Sequence, residues 1–401
     1  DAQRSMLSMR NGKGKKRLQK KQKGTMFLSA VCEDGVYMDS LRFIFPLDGD
    51  VLTPADGVME GESLLVRIRV LAPAHCRVTV NEQTAAFVNE AYEINLPVDN
   101  NRNTLEAVAT DEKGNTTSTH IFVYRFKEAY GKYRLAIDDI IWSMRDLAEH
   151  DYTSIFDCPF FGIFKRLHRD FSTCVHMNIY FTDQNGFDLT QMPDRYKEEF
   201  LENSHWLKFT FHAYANDPPR IYRYSPYFQV YRDYHLVTNE IIRFAGKETM
   251  QTDVNGLHFA ETTVQGARAL RDCGIRCLVG YFIFDSAGDP YVSYYLNSEQ
   301  TRHCFDRDFW VDRKENIIFS KDKMVIDSFT LEKIRPKLDW ILENRKTEAG
   351  TMNFVTHEQY FYSFYSQYQP DYEEKIRTAV SWATEHGYKP CFLSDVIKEP
   401  F

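Results

Sequence analysis

The chain has 401 residues, room for two or three domains, and its apolar fraction of 43% is enough to build a core in each. Its net charge of −8 is uneven: residues 1–24 hold nine Lys or Arg against Asp1 alone, which leaves −16 on the rest and argues against a large nucleic-acid footprint. No apolar run approaches the length of a transmembrane helix, and eight scattered Cys without a CxxC pair exclude a zinc ribbon while leaving the redox compartment open.

In chain order, "GKGKKRLQKKQKG" reads as part of a basic, solvated and disordered tail over residues 1–38. "TMFLSAVC" follows it with the outline of a lipoprotein signal, but the apolar stretch is too short and Val31 is the wrong residue before Cys32. Over residues 39–126 the pattern becomes short alternating strands: "LRFIFPLDG", "LLVRIRVLA", "CRVTVNEQ", "YEINLPV", "NTLEAVATD" and "HIFVYRF". "DEKGNTT" supplies a hairpin turn in which Gly114 can take positive φ. Such spacing predicts an immunoglobulin-like β-sandwich. Through "FPLDGDVL", "VTVNEQ" and "NTLEAVATDEKGN" the stretch also resembles bacterial immunoglobulin-like modules attached to carbohydrate enzymes.

Residues 127–133 read as a linker, and the rhythm then changes. Over 134–401 apolar strands alternate with helical stretches, from "YRLAIDDI" and "IFKRLHRDF" to "MNFVTHEQYF" and "EEKIRTAVSWATEHG". Repeated alternation of this kind predicts a parallel α/β sheet closed as a (β/α) barrel. "YVSYYL", "FWVD" and "NIIFS" interrupt it and read as an inserted hairpin. "HCFDRDFWVD" (303–312), with Asp306, Asp308 and Asp312, lacks a calcium-loop pattern and reads as a solvated loop.

Barrel chemistry gathers at the C-terminal ends of strands. Those ends carry Asp138 and Asp139 in "RLAIDDIIW", His212 in "LKFTFH", His258 in "GLHFAE", and His357 with Glu358 in "MNFVTHE". Two adjacent carboxylates in an apolar run are costly unless a cation compensates them. Asp and neutral His together suit zinc or a similar divalent metal. Neighbours on a strand point to opposite faces, so both Asp can enter one site only where the strand ends and the backbone turns.

Residues 133–401 resemble the polysaccharide deacetylases of carbohydrate esterase family four, the NodB-homology fold. The likeness lies in "AIDD", "TFHAYAND" and "VTHEQYF", supported by "ARALRDCGIRCLVGYF" and "AVSWATEHGYKPCFLSD". It implies a distorted (β/α) barrel that removes N- or O-linked acetyl groups from a polysaccharide or glycan. It also implies a divalent metal, zinc by preference, and a secreted, periplasmic or cell-surface setting. Asp138 would be the general base, His357 the general acid, and Asp139 and His212 metal ligands. The family's second His falls on Asn216, so the third ligand must come from Asp217 or His258, with His258 favoured because a strand end is better fixed than a loop. The family's orienting arginine has no clear counterpart; Arg243 and Arg220 are the candidates.

Trp142 and Tyr214 offer flat apolar faces with polar tips, as a sugar groove would, and "QYFYSFYSQYQPDY" could extend it. Two other readings use the same barrel or a related one. One is an inactive glycan-binding protein, suggested by Asn216. The other is a glycoside hydrolase pairing Asp138 or Asp139 with Glu358 or Glu261. Oligomeric state is not legible in the sequence.

Overall fold

The computed structural model describes residues 41–73 and 75–397, so the basic tail and "TMFLSAVC" lie outside the described residues. The chain folds as more than one domain. The first part contains β1 (Arg42–Phe45), β2 (Gly57–Glu60), β3 (Ser63–Leu71), β4 (Arg77–Val80), β5 (Gln83–Thr84), β6 (Ala86–Val88), β7 (Ala91–Pro97), β8 (Arg102–Thr110) and β9 (Thr116–Tyr124). They form two antiparallel sheets, β1-β3-β7-β6 with β2 beside β3, and β5-β4-β8-β9. Alternation explains why the sheets face each other: Leu64, Val66, Ile68 and Val70 of β3 point inward and share one core with Val78, Val80, Leu105, Ala107 and Val123. The β8–β9 turn is built as its residues demand, with Asp111 accepting from the Lys113 and Asn115 N–H groups at 2.9 and 2.8 Å and Gly114 at φ 85°.

The second part begins with β10 (Lys132–Ile140), α1 (Trp142–Glu149), α2 (Pro159–Phe171), β11 (Val175–Tyr180), α3 (Lys197–Glu202), β12 (Leu207–Ala213), α4 (Tyr227–Phe244), β13 (Val254–Asn255), α5 (Val264–Asp272) and β14 (Cys277–Gly280). It continues with the hairpin β15 (Ile283–Phe284) and β16 (Pro290–Tyr291), then α6 (Ser298–Phe305), β17 (Phe309–Asp312), β18 (Ile317–Lys321), β19 (Met324–Val325), α7 (Leu331–Asn344), β20 (Thr351–His357), α8 (Tyr372–Glu385) and β21 (Lys389–Pro390). Parallel pairings run β12-β11-β10-β20-β19 and β13-β14-β18. A parallel bridge between Phe209 and Met250 links β12 towards β13, and β18 runs straight on into β19. The two parallel sheets thus adjoin along an irregular circuit of strands.

Side-chain parity shows how the circuit is filled. Leu135 and Ile137, Met177 and Ile179, Phe209 and Phe211, and Met352 and Phe354 face outward into a large core shared with the helices. The opposite parity faces inward. There the apolar packing is small, with Ala136, Val325 and Val355, and Arg134, Asp138, Tyr180, His212 and His357 line a cavity.

Three readings of the sequence are corrected. "NIIFS" is not part of an inserted hairpin alone: β18 pairs with β17, but it also pairs in parallel with β14 as a strand of the circuit. "GLHFA" is not a strand, because β13 stops at Asn255 and His258 sits on a 3-10 turn. Residues 303–312 are not a solvated loop. Asp308 and Asp312 are buried, and Asp308 pairs with Lys323 at 2.9 Å.

The two parts meet over a third core that joins Val51, Tyr124 and Phe126 to Val279, Phe309, Val311 and Ile318. Gly49 fits this junction because a Cβ there would lie 2.1 Å from the Val311 carbonyl oxygen, and its φ is +85°. Buried Asp50 accepts from His303 and lies 3.1 Å from the Arg307 Nε, and Arg307 reaches on to Asp56.

Candidate metal centre

The pairing register of β10 with β11 shifts between Ile137 and Ile140, and Asp139 sits at φ +66°. This bulge breaks the strict alternation of the strand end, so Asp138 and Asp139 both line one pocket of about 540 Å³. Asp is among the few side chains that tolerate this left-handed backbone.

Asp139, His212 and His258 converge. His212 Nε2 lies 3.0 Å from Asp139 Oδ1, His258 Nδ1 lies 3.2 Å from His212 Nε2, and His258 Nδ1 lies 3.4 Å from Asp139 Oδ1. Ligand atoms about 2.0–2.1 Å from one ion are separated by about 3.0 Å at right angles and about 3.4 Å in a tetrahedron, so these three donors fit a shared divalent cation. Their chemistry agrees, since two imidazoles and a carboxylate suit such an ion. His212 Nδ1 lies 2.5 Å from the Gly256 carbonyl, to which it can donate, leaving Nε2 free as a donor atom. The Gln359 amide donates to Asp139 Oδ2 at 2.6 Å, and the Tyr180 hydroxyl bonds Asp139 Oδ1 and lies 2.9 Å from His258 Nδ1.

These contacts set the charges. Burial would raise the Asp139 pKa, but hydrogen bonds from His212 and His258 hold it well below the usual carboxylate range. Burial opposes charge on His212, yet Asp138 and Asp139 raise it, whereas burial prevails at His258 and lowers it.

Across the strand pair, Asp138 stands in register with His357. Asn178 donates to Asp138 Oδ1. His357 Nδ1 lies 2.8 Å from Asp327 Oδ2, which also accepts the His357 backbone N–H at 2.9 Å. Burial alone would depress His357, but Asp327, with Asp139 and Asp138 behind it, raises it to about 10. Deeper in the pocket, Arg134 lies 3.5 Å from Asp322, whose carboxyl burial pushes up to about 7.

The other residues singled out in the sequence fall in different places. Asp217 and Asn216 line the pocket wall, but Asp217 is not in the converging group. Its backbone is instead tied to Gln184. Trp142 lines the pocket and packs against Tyr362, Phe364 and Tyr365. Tyr214 does not line it; its ring stacks on Phe181 at 5.4 Å. Neither arginine candidate touches Asp138. Arg243 ties Glu240 to Asp194, and Arg220 pairs with Glu261 at 2.8 Å. Glu358 accepts the N–H groups of Ile141, Trp142 and Ser143 at 2.7–2.8 Å, capping α1, while burial pushes it up to about 7.

Asn178, Tyr180, Asp327 and Gln359 escaped the sequence reading. A signal for the first two was present: His176, Asn178 and Tyr180 alternate on one face of a strand that is otherwise apolar.

No family model matches the chain, and no curated protein matches it. Among solved structures, it is similar to the fibronectin(III)-like modules of Clostridium thermocellum CbhA at 12% identity and a TM-score of 0.17, over 21% of this chain and 94% of that one. It is also similar to a Bacteroides ovatus GH5 xyloglucanase solved in complex with a XXXG heptasaccharide, at 10% identity and a TM-score of 0.30, over 87% of this chain and all of the other. At these scores the architecture rests on the strand pairings above. Among the described residues no helix is long and apolar enough to cross a membrane.

Proposed function

We propose that this chain is a metal-dependent hydrolase that removes acetyl groups from a glycan, with the distorted barrel of a polysaccharide deacetylase behind an immunoglobulin-like module. The observation that carries the reading is the convergence of Asp139, His212 and His258 beside Asp138, with His357 in register across the strand pair. A divalent cation held by those three donors, zinc by preference, supplies Lewis acidity toward a carbonyl oxygen and a water molecule.

The chain's own groups divide the rest. Asp138, steadied by Asn178, takes a proton from water as the water oxygen adds to the acetyl carbon. His357, kept protonated at neutral pH by Asp327, gives a proton to the departing nitrogen or oxygen as its bond to the acetyl carbon breaks, and acetate leaves. Trp142 at the pocket edge offers a face for a sugar ring.

Two observations favour this reading over its rivals. His258 can offer the third donor where Asn216 does not, which favours an active site over an inactive one. Glu358 holds the start of α1 and Glu261 pairs with Arg220, engagements that disfavour either as the partner of Asp138 or Asp139 in glycoside cleavage.

The test is acetate release from N-acetylated chitosan and O-acetylated xylan by zinc-loaded protein. Asp138→Asn should lower the rate by about 10²–10⁴-fold with metal content unchanged. A variant as active as the parent would overturn the assignment of the base.

A further inference from the structure

We infer that the pocket admits the end of a glycan chain, or a short oligosaccharide, and excludes the interior of a long polymer; this rests on the hydrolase reading above. The pocket is walled by the segments that follow β10, β11, β12, β13, β14 and β20, through Trp142, Asp183, Asn216, Phe259, Val292 and Gln367. A polymer lying across a site needs two opposite gaps in its rim. Residues from all of these segments line the pocket, with Asp322, Val325 and Ser328 from the β18–β19 side, and the volume of about 540 Å³ falls in the range of pockets that enclose one small ligand.

The wall carried by the β15–β16 hairpin decides the matter, because it is fixed in place. Phe282, Val292 and Tyr294 hold left-handed backbone at φ 53°, 52° and 53°, which for a β-branched residue such as Val292 is a genuine outlier. Such strain persists only where the surroundings over-determine it, and it clusters at functional sites. The surroundings here are the Phe282 N–H bonded to the Val292 carbonyl at 3.0 Å and the Tyr294 N–H bonded to the Ala260 carbonyl at 2.6 Å. The Arg220 guanidinium also lies 4.1 Å from the centre of the Tyr291 ring while ion-paired to Glu261. The residues of this wall that line the pocket, Tyr281, Tyr291 and Val292, lie at the hairpin base where these contacts clamp them, so the wall does not swing aside for a chain. At another part of the rim Trp142 packs on Phe364, which is 64% exposed and offers its ring to one further sugar unit of a chain leaving the pocket.

The experiment compares long acetylated chitosan and xylan with the short oligosaccharides cut from them, at equal acetyl concentration, using zinc-loaded protein. The expected initial rate rises with the number of chain ends, by about tenfold when ends become about tenfold more numerous, and mass spectrometry finds acetyl missing from the terminal unit. Equal rates on polymer and fragments, with acetyl lost from internal units, overturn the inference and leave the hydrolase reading intact. Tyr291→Ala combined with Val292→Gly should lower the fragment-to-polymer rate ratio by at least about threefold. An unchanged ratio removes the hairpin from the argument and overturns it. Acetate from none of these substrates overturns the hydrolase reading, and this inference with it.

Discussion

Along β3 and β8 of the N-terminal sheets, alternate side chains face outward, and the polar ones among them meet water. Along β11 and β12 of the parallel circuit nearly all side chains are buried, and the buried polar ones share the parity of the residues that line the pocket. The difference follows from how each region covers its strands. Two packed sheets leave one face of each open, so charge is cheap there. A circuit wrapped by helices encloses both faces, so each interior polar group needs a partner or a purpose. Asp139, His212 and His258 partner one another there. The lesson is that a polar residue in this chain reads as chemistry only once its region is known.

The comparison breaks first if interior and surface charges prove alike. His212→Ala should abolish stoichiometric metal binding, measured by elemental analysis, because it removes one of three converging donors. Asp50→Ala at the junction should destabilise the protein by about 3–5 kcal/mol in chemical denaturation, since it leaves buried Arg307 and His303 short of a carboxylate.

A pH titration sharpens the contrast. The folded pKa of His357 is raised from 6.5 to about 10, so its contribution to stability is full below pH 6.5 and lost as pH rises through about 10. Thermal unfolding of the metal-free protein should show that decline, and Asp327→Asn should flatten it by removing the carboxylate that raises His357. The smallest effect belongs to the sandwich. Arg67, its side chain 61% exposed, pairs with Glu93, which Arg69 also reaches, so Arg67→Ala should cost less than about 1 kcal/mol.

Period-two alternation in residues 39–126 and the strand–helix rhythm after residue 134 were enough to separate two kinds of architecture, because both patterns are local consequences of burial. Asp138, Asp139, His212 and His357 stood out because each ends an apolar strand. The bulge that turns both aspartates into one pocket could be anticipated only as a need for the backbone to turn. A strand end favours His258 over Asp217 in the sequence, yet His258 stands beside Asp139 and His212 on a 3-10 turn. Asp327 was invisible as the partner of His357, because it sits 30 residues earlier on a segment whose place beside β20 depends on the β19–β20 pairing. The same holds for Glu358. Its position beside His357 suggested chemistry, but the approach of the α1 N-terminus made it a cap. Sequence alone determined which residues were too polar for their surroundings. Which of them meet, and which are consumed by structure, was decided by strand register and helix placement, because a hydrogen bond or a metal ligand depends on distances that join segments remote in the chain.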